Sequence, residues 1–213
     1  ALTIAEVFKQ AGYKTGLIGK WHLGERPKFL PQRQGFDHTY YVKSSNNQTK
    51  KLWRGDELIE NPFENRLLTE KFSSEAIRFI KANKDKPFFC YLPITPPHGM
   101  YDIPADDPAW KLYEGEAWIQ DPSIHQDIKN YAGMVSMVDY NVGQVLDLLK
   151  ELGLEENTIV FFTGDNGGQD RFRSKEHPRG FFGPNKDPRT GVEFRGGKGN
   201  LYEGGLRIPS IAR

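Results

Sequence analysis

In 213 residues the chain has one cysteine and no excess of charge of either sign. A lone cysteine cannot close an internal disulfide. Cys90 sits in the apolar run Pro87-Phe88-Phe89-Cys90-Tyr91-Leu92 and reads as a small buried core residue. The 29 basic and 28 acidic residues leave a formal net charge of +1. That balance argues against a protein that tracks nucleic-acid phosphates, which shows a basic excess. The longest apolar runs are of strand length, so no membrane-spanning helix is expected. No internal repeat or low-complexity stretch is present. The chain opens at Ala1 without a methionine or a targeting segment, and closes on Ile208-Pro209-Ser210-Ile211-Ala212-Arg213, which reads as a strand cut short. The expectation is a piece of a longer polypeptide, with room for one domain core or part of a larger one.

What is present alternates helices with apolar strands. Thr3-Ile4-Ala5-Glu6 is a capping box. Ile4, Val7, Phe8 and Ala11 follow at helical spacing, and Gly12 supplies the stop. A strand is expected from about Lys14 to His22. Residues 25–65 read as loop, except for a hairpin pairing Lys51-Leu52-Trp53-Arg54 with Glu57-Leu58-Ile59 around Gly55-Asp56. A helix follows over Thr69–Asn83, with Phe72, Ala76, Ile77 and Ile80 on one stripe. A buried strand is expected over Pro87–Ile94, then a long loop over 95–124. The longest helix spans His125–Leu152, with Ile128, Val135, Val142 and Leu149 as one seam and Tyr131, Val138, Val145 and Leu152 beside it. Gly133 and Gly143 each cost about 1 kcal/mol inside a helix, which points to close packing or a break. Thr158–Thr163 is the clearest buried strand. The expected fold class is α/β, with both faces of the sheet covered by helices.

Ligands of open α/β sheets gather beyond the carboxyl ends of the strands, and three strands carry polar groups there. The first delivers Lys20 and His22 in Gly19-Lys20-Trp21-His22-Leu23-Gly24. Extended chain places these two on one face and Trp21 on the other. A cation beside an imidazole suits an anionic substrate and a proton transfer, although Lys-x-His alone is a weak signal. The second strand runs into Pro96-Pro97-His98, the third into Gly164-Asp165-Asn166-Gly167-Gly168. Asp165 and Asn166 offer adjacent hard oxygens, which suit Ca²⁺ or Mg²⁺ better than zinc. Arg195-Gly196-Gly197-Lys198-Gly199-Asn200 lets backbone approach a ligand while Lys198 reaches in. It lacks the spacing of a P-loop. His38, His125 and His177 carry no assigned role.

In this order the segments resemble the type I sulfatases, the arylsulfatase-like branch of the alkaline phosphatase superfamily. Gly12-Tyr13-Lys14-Thr15 through Gly24 looks like that family's second signature. Gly35-Phe36-Asp37, Pro96-Pro97-His98, Asp165-Asn166-Gly167, Gly197-Lys198 and Glu203-Gly204-Gly205-Leu206-Arg207-Ile208-Pro209 match in sequence order. The resemblance spans nearly all of residues 1–213 and implies an alkaline-phosphatase-like, mostly parallel or mixed sheet flanked by helices. It identifies the chain as the central part of a catalytic domain.

The resemblance further implies a sulfuric ester hydrolase cleaving sulfate monoesters, of glycans among others. It implies a formylglycine nucleophile, made from a Cys/Ser-x-Pro/Ala-x-Arg motif expected upstream of Ala1, and a calcium ion held in part by Asp165 and Asn166. The family's paired N-terminal aspartates are also expected upstream, since Asp106-Asp107 lies in the wrong part of the order. Lys20 and Lys198 would clamp sulfate oxygens. His98, with Lys198, would serve the leaving oxygen, and His22 would act as base. All six residues are expected around one tetrahedral oxyanion. The family suggests an exported or lysosomal setting. Two alternatives stay open: a phosphatase or phosphodiesterase of the same superfamily, and a non-catalytic domain that binds sulfated glycans.

Overall fold

The Thr3 hydroxyl accepts the Glu6 N–H at 3.1 Å, and the Glu6 carboxylate takes the Thr3 N–H at 2.7 Å. This reciprocal cap starts helix α1 (Ile4–Gln10) where the sequence places it. The structure is a computed structural model and describes residues 2–169 and 184–213. The chain divides into two units, Ala1–Glu156 and Asn157–Arg213.

The first unit holds a five-stranded mixed sheet. Strand β1 (Lys14–Lys20) runs parallel to β2 (His38–Val42) on one side and to β5 (Phe88–Tyr91) on the other. The expected hairpin, β3 (Leu52–Arg54) and β4 (Glu57–Glu60), extends the sheet beyond β2 in the order β4-β3-β2-β1-β5. Strand β2 corrects the reading of this region as loop. Its Thr, Tyr and Val content favours a strand, but the surrounding Pro, Gly, Asn and charge conceal it. Strand β5 is a half-buried edge strand rather than a buried one. The Cys90 thiol is enclosed even though the residue as a whole is half-buried, and burial pushes its pKa up to about 12.

Side chains alternate across the sheet, and both faces are covered in this unit. Leu17, Trp21 and Tyr41 pack with Ala5 of α1 and with Leu30 and Phe36. On the other face lies helix α2 (Leu68–Asn83), whose Phe72 ring meets Tyr40 and whose Phe79 ring meets Phe88, both edge-on. Phe72 is fully buried, a contribution of about 1.5–3 kcal/mol. Residues 95–124 are not wholly loop. They contain a 3₁₀ segment, Pro108–Tyr113, and a four-residue helix α3 (Ala117–Gln120).

Helix α4 (Gln126–Glu151) begins at His125, whose Nδ1 accepts the Asp127 N–H at 3.1 Å. Its buried row meets the expected seams only at Val138 and Leu149. Met134, Met137, Val138, Asn141, Leu148 and Leu149 face inward, while Val135 is 44 % exposed. A helix of this length offers several apolar rows, and the row facing α2 carries a polar pair. Ser73 donates to Asn141 Oδ1 at 2.5 Å, and Asn141 donates to the Met137 carbonyl at 2.8 Å.

A buried carboxylate ties α2 to the sheet. Glu75 is 2 % exposed. It takes Arg54 from β3 at 2.9 Å, Arg78 one turn along α2, and His38 Nε2 from β2 at 2.9 Å. The His38 approach is close but poorly aligned for a hydrogen bond. Desolvation alone would raise the Glu75 pKa; His38, Arg54 and Arg78 outweigh it and hold the carboxyl below the usual range.

The second unit contains strand β6 (Phe161–Thr163), antiparallel to β7 (Ser210–Ala212), and a short helix α5 (Glu203–Leu206). Among the described residues β6 pairs only with β7. The expectation of a buried strand over Thr158–Thr163 is corrected in both length and burial. Ile159, Phe161 and Phe162 are 88, 65 and 45 % exposed.

The two α4 glycines separate cleanly. A Cβ at Gly133 would sit 2.9 Å from the Trp110 ring, whereas one at Gly143 meets nothing within 4 Å. Close packing therefore explains Gly133 alone. Gly143→Ala is expected to stabilise the fold by about 1 kcal/mol and Gly133→Val to destabilise it by about 1–3 kcal/mol, both measured by denaturant unfolding. Because the folded pKa of Glu75 is depressed, its contribution is present above the ordinary glutamate range and is lost as pH falls through the folded value. Glu75→Gln should therefore flatten the acid limb of a stability-versus-pH curve. An unchanged limb would show that Glu75 is not its source.

Candidate active site

The site begins where β1 ends. Beyond that strand the parallel pairing continues: the N–H groups of Lys20, Trp21 and His22 donate to Pro93 O (2.8 Å), Val42 O (2.9 Å) and Lys43 O (3.0 Å). Segments following β1, β2 and β5 are thereby held side by side at one edge. Gly19 (φ 143°) permits this, because a Cβ there would lie 2.2 Å from Pro93 O. Trp21 is buried and donates its indole N–H to Phe29 O at 2.9 Å, which anchors the turn that follows.

Lys20 is half-buried at the strand end and His22 is exposed. Strand alternation does not place His22 as expected. The strand stops at Lys20, and His22 has φ 52°, the left-handed region. For a residue with a Cβ this costs about 1–2 kcal/mol. The turn, not the pleat, aims the imidazole. His98 follows β5 on a turn closed by its own N–H to Thr95 O at 3.0 Å. Its Nδ1 lies 2.9 Å from Gly99 O. With Nδ1–H donating to that carbonyl, Nε2 carries the lone pair in the neutral ring. Lys20, His22 and the segment bearing His98 therefore share the carboxyl edge of one parallel sheet.

The second unit knits its three candidates into one substructure. The 164–168 turn is laced to the glycine-rich loop: Gly167 N–H donates to Gly205 O at 2.8 Å, and Lys198 N–H to Gly168 O at 2.9 Å. Asn185, which the sequence reading passed over, donates to both Gly168 O (2.7 Å) and Gly204 O (2.8 Å). The fit is so close that a Cβ at Gly167 would stand 2.0 Å from Gly204 O. Asp165, Asn166 and Lys198 are all exposed.

Asp165 and Asn166 suit a hard cation in kind. Asp165 has no hydrogen bond or ion pair among the described residues, and Asn166 spends its amide N–H on Gly167 O at 2.9 Å, away from its own side-chain oxygen. They are too few in number. No group of three or more His, Cys, Asp or Glu able to hold a metal occurs among the described residues, whereas calcium takes six to eight oxygens. Asp187 is already engaged. Chiefly the Arg189 N–H (2.9 Å), then the Thr190 N–H and the Arg189 and Arg207 charges, hold its carboxyl below the usual range.

The expectation that no Cys/Ser-x-Pro/Ala-x-Arg pattern occurs within residues 1–213 is corrected. Ser74-Glu75-Ala76-Ile77-Arg78 does spell Ser-x-Ala-x-Arg within the chain. It lies mid-helix in α2, where Arg78 is paired to buried Glu75. That placement makes it a structural segment. Of the remaining histidines, His38 belongs to the Glu75 cluster, His125 caps α4, and His177 lies outside the described residues. The sequence reading also passed over Ser44, Ser45 and Asn46, three consecutive buried polar residues just past β2 at the same edge. Polar residues following a strand are the signal that could have found them.

A family model described as Sulfatase matches residues 2–213. The N-acetylgalactosamine-6-sulfatase of Mus musculus is 32 % identical over 228 aligned residues, covering 98 % of this chain and 39 % of that protein. The crystal structure of Ps i-CgsB in complex with k-i-k-neocarrahexaose superposes with a TM-score of 0.75 at 28 % identity, covering 100 % of this chain and 47 % of that one. The phosphonate monoester hydrolase of Agrobacterium radiobacter shares the fold, with a TM-score of 0.56 at 18 % identity over 99 % of this chain and 52 % of that one. The chain thus spans less than half the length of the first two relatives.

The left-handed His22 gives a direct test of the turn. His22→Gly should be more stable than His22→Ala by about 1 kcal/mol, since glycine adopts that φ freely. Equal thermal stabilities would mean that the turn is not strained.

Proposed function

Because the chain belongs to the sulfatase family, we propose that it carries the sulfate-binding and acid–base groups of a sulfuric ester hydrolase acting on sulfated glycans. The observation that carries the reading is the shared carboxyl edge on which Lys20, His22 and the His98 segment are pinned by backbone hydrogen bonds. The N-acetylgalactosamine-6-sulfatase relative and the hexaose-bound neighbour support a glycan ester as substrate.

Net hydrolysis consumes one water and breaks the bond between sulfur and the alcohol oxygen, giving the free alcohol and inorganic sulfate. Lys20 and Lys198 bind sulfate oxygens as fixed cations, and such groups lower a barrier because they are already in place when charge develops. His98, as the imidazolium with its Nδ1–H held by Gly99 O, donates its Nε2 proton to the departing oxygen, with Lys198 assisting, and is left as the neutral ring. His22, exposed on its turn, accepts the proton of the hydroxyl whose ionisation frees the sulfate. The family's formylglycine would supply the nucleophilic oxygen, and a calcium ion, which Asp165 and Asn166 would help to hold, would supply fixed positive charge. An exported or lysosomal setting is part of the same proposal.

The test is sulfate release from N-acetylgalactosamine 6-sulfate by the full-length protein, read by ion chromatography beside the matching phosphate ester. Lys198→Ala or His22→Ala should each lower turnover of the sulfate ester at least ~100-fold. Near-normal turnover in either variant, or preference for the phosphate ester, overturns the assignment.

A further inference from the structure

From His38 to Gly55 the chain contains no acidic residue, while the connection between β2 and β3 contains Lys43, Lys50 and Lys51. The strand register, Val42 opposite Leu52, brings both roots of this connection to the end of β2 that lies beside the carboxyl end of β1. Lys43 is tied to the active-site turn, because its carbonyl accepts the His22 N–H at 3.0 Å. Lys50 is tied to the other arm. Its ammonium lies 3.8 Å from the sulfur of Met100, two residues past His98.

Neither cation has a carboxylate partner among the described residues. The Lys43 ammonium sits 3.7 Å from the centre of the Trp53 ring, and that of Lys50 sits 5.3 Å from the Phe63 ring and against the Met100 thioether. Aromatic and sulfur partners orient an ammonium without neutralising it. In the same unit Lys9, Arg54, Lys71 and Arg78 are paired to carboxylates, whereas Lys28, like Lys43, sits against an aromatic ring. The loop between them is rigidly rooted. Ser44, Ser45 and Asn46 are 7, 3 and 2 % exposed. Ser44 donates to Gln48 Oε1 at 2.6 Å, and Asn46 donates to Asn65 Oδ1 at 2.7 Å.

We propose that the β2–β3 connection is an anion subsite, in which Lys43 and Lys50 bind a second acidic group of the glycan, adjacent to the sulfate being removed. Resting on the sulfatase reading, this deepens it: the substrate is a polyanionic oligosaccharide rather than an isolated monosulfated sugar. A carboxylate of a neighbouring uronate and a second sulfate offer the same chemistry to an ammonium.

The experiment uses the full-length protein and two probes, N-acetylgalactosamine 6-sulfate and a sulfated, uronate-containing galactosaminoglycan tetrasaccharide. Binding is followed by calorimetry at two salt concentrations. The Lys43→Gln/Lys50→Gln double variant should lose affinity at least tenfold more for the tetrasaccharide than for the monosaccharide. Wild-type affinity for the tetrasaccharide should fall more steeply with salt than that of the variant. Lys43→Arg/Lys50→Arg should restore most of the difference, which a mere packing defect at Trp53 or Phe63 would not. Carboxyl-reduced and partially desulfated tetrasaccharides then identify the second acid as carboxylate or sulfate. Equal losses for both probes, no loss, or no binding of the tetrasaccharide to the wild-type protein overturns the subsite. Absence of turnover on any sulfate ester overturns the sulfatase reading separately, and lysine-dependent binding of the tetrasaccharide still supports the subsite.

Discussion

In the first unit, the candidate residues depend on the backbone ladder that continues past β1. Of three successive N–H groups, that of Lys20 reaches to the β5 side and those of Trp21 and His22 reach to the β2 side. Each bond is worth about 1 kcal/mol net, but together they fix relative position, and position is what catalysis needs. The ladder in turn requires Gly19, where any side chain would strike the Pro93 carbonyl, and it requires Trp21 to turn inward and seal against Phe29 and Phe36. A histidine in the left-handed region is tolerated at the end of this frame because its own N–H and those of the two residues before it are all bonded.

Charge is distributed in keeping with that geometry. The buried acid of the first unit, Glu75, lies under the sheet on the α2 face and is saturated by Arg54, Arg78 and His38. At the carboxyl edge the chain supplies lysines and histidines, with amide and hydroxyl residues between them, and the stretch from His38 to Gly55 contributes no carboxylate. A near-neutral protein can thus present a locally cationic edge. Net charge describes the partner class poorly when acids and bases are sorted to different places.

Local signals in the sequence predict local structure well. The capping box places α1 to the residue, and the turn at Gly55-Asp56 places the β3–β4 hairpin. The boundaries of α4 follow from its apolar span between His125 and Gly153. What the sequence conceals depends on distant partners. Strand β2 is five residues of good strand formers inside a loop-like background, and it becomes a strand only because β1 and β3 flank it. The inward row of α4 is chosen by α2 and by Trp110, and not by its own periodicity. The apolar run before Asp165 reads as buried because burial is the usual fate of such residues, yet its exposure is set by which strands pair with it. Family order singles out Lys20, His22, His98, Asp165, Asn166 and Lys198 as candidates, while spacing alone does not reveal the left-handed backbone of His22. The non-acidic β2–β3 connection is legible in composition, and its significance appears only once the register brings it to the β1 end.

The glycines of the second unit show why its chemistry comes as one piece. Lys198 N–H binds Gly168 O and Gly167 N–H binds Gly205 O, so the turn carrying Asp165 and Asn166 cannot shift without moving the loop that carries Lys198. Asn185 reinforces the link by bridging Gly168 and Gly204 through a single amide. Two hard oxygens and a lysine held this way differ from three residues on a flexible glycine loop. The backbone contacts restrict the motion that would otherwise have to be frozen on binding an anion, which is the entropic term that preorganisation removes. The same logic explains why bulk is excluded at Gly167 and Gly204. Their carbonyl-to-carbon approaches leave no volume for a side chain, so the composition of this segment follows from its packing.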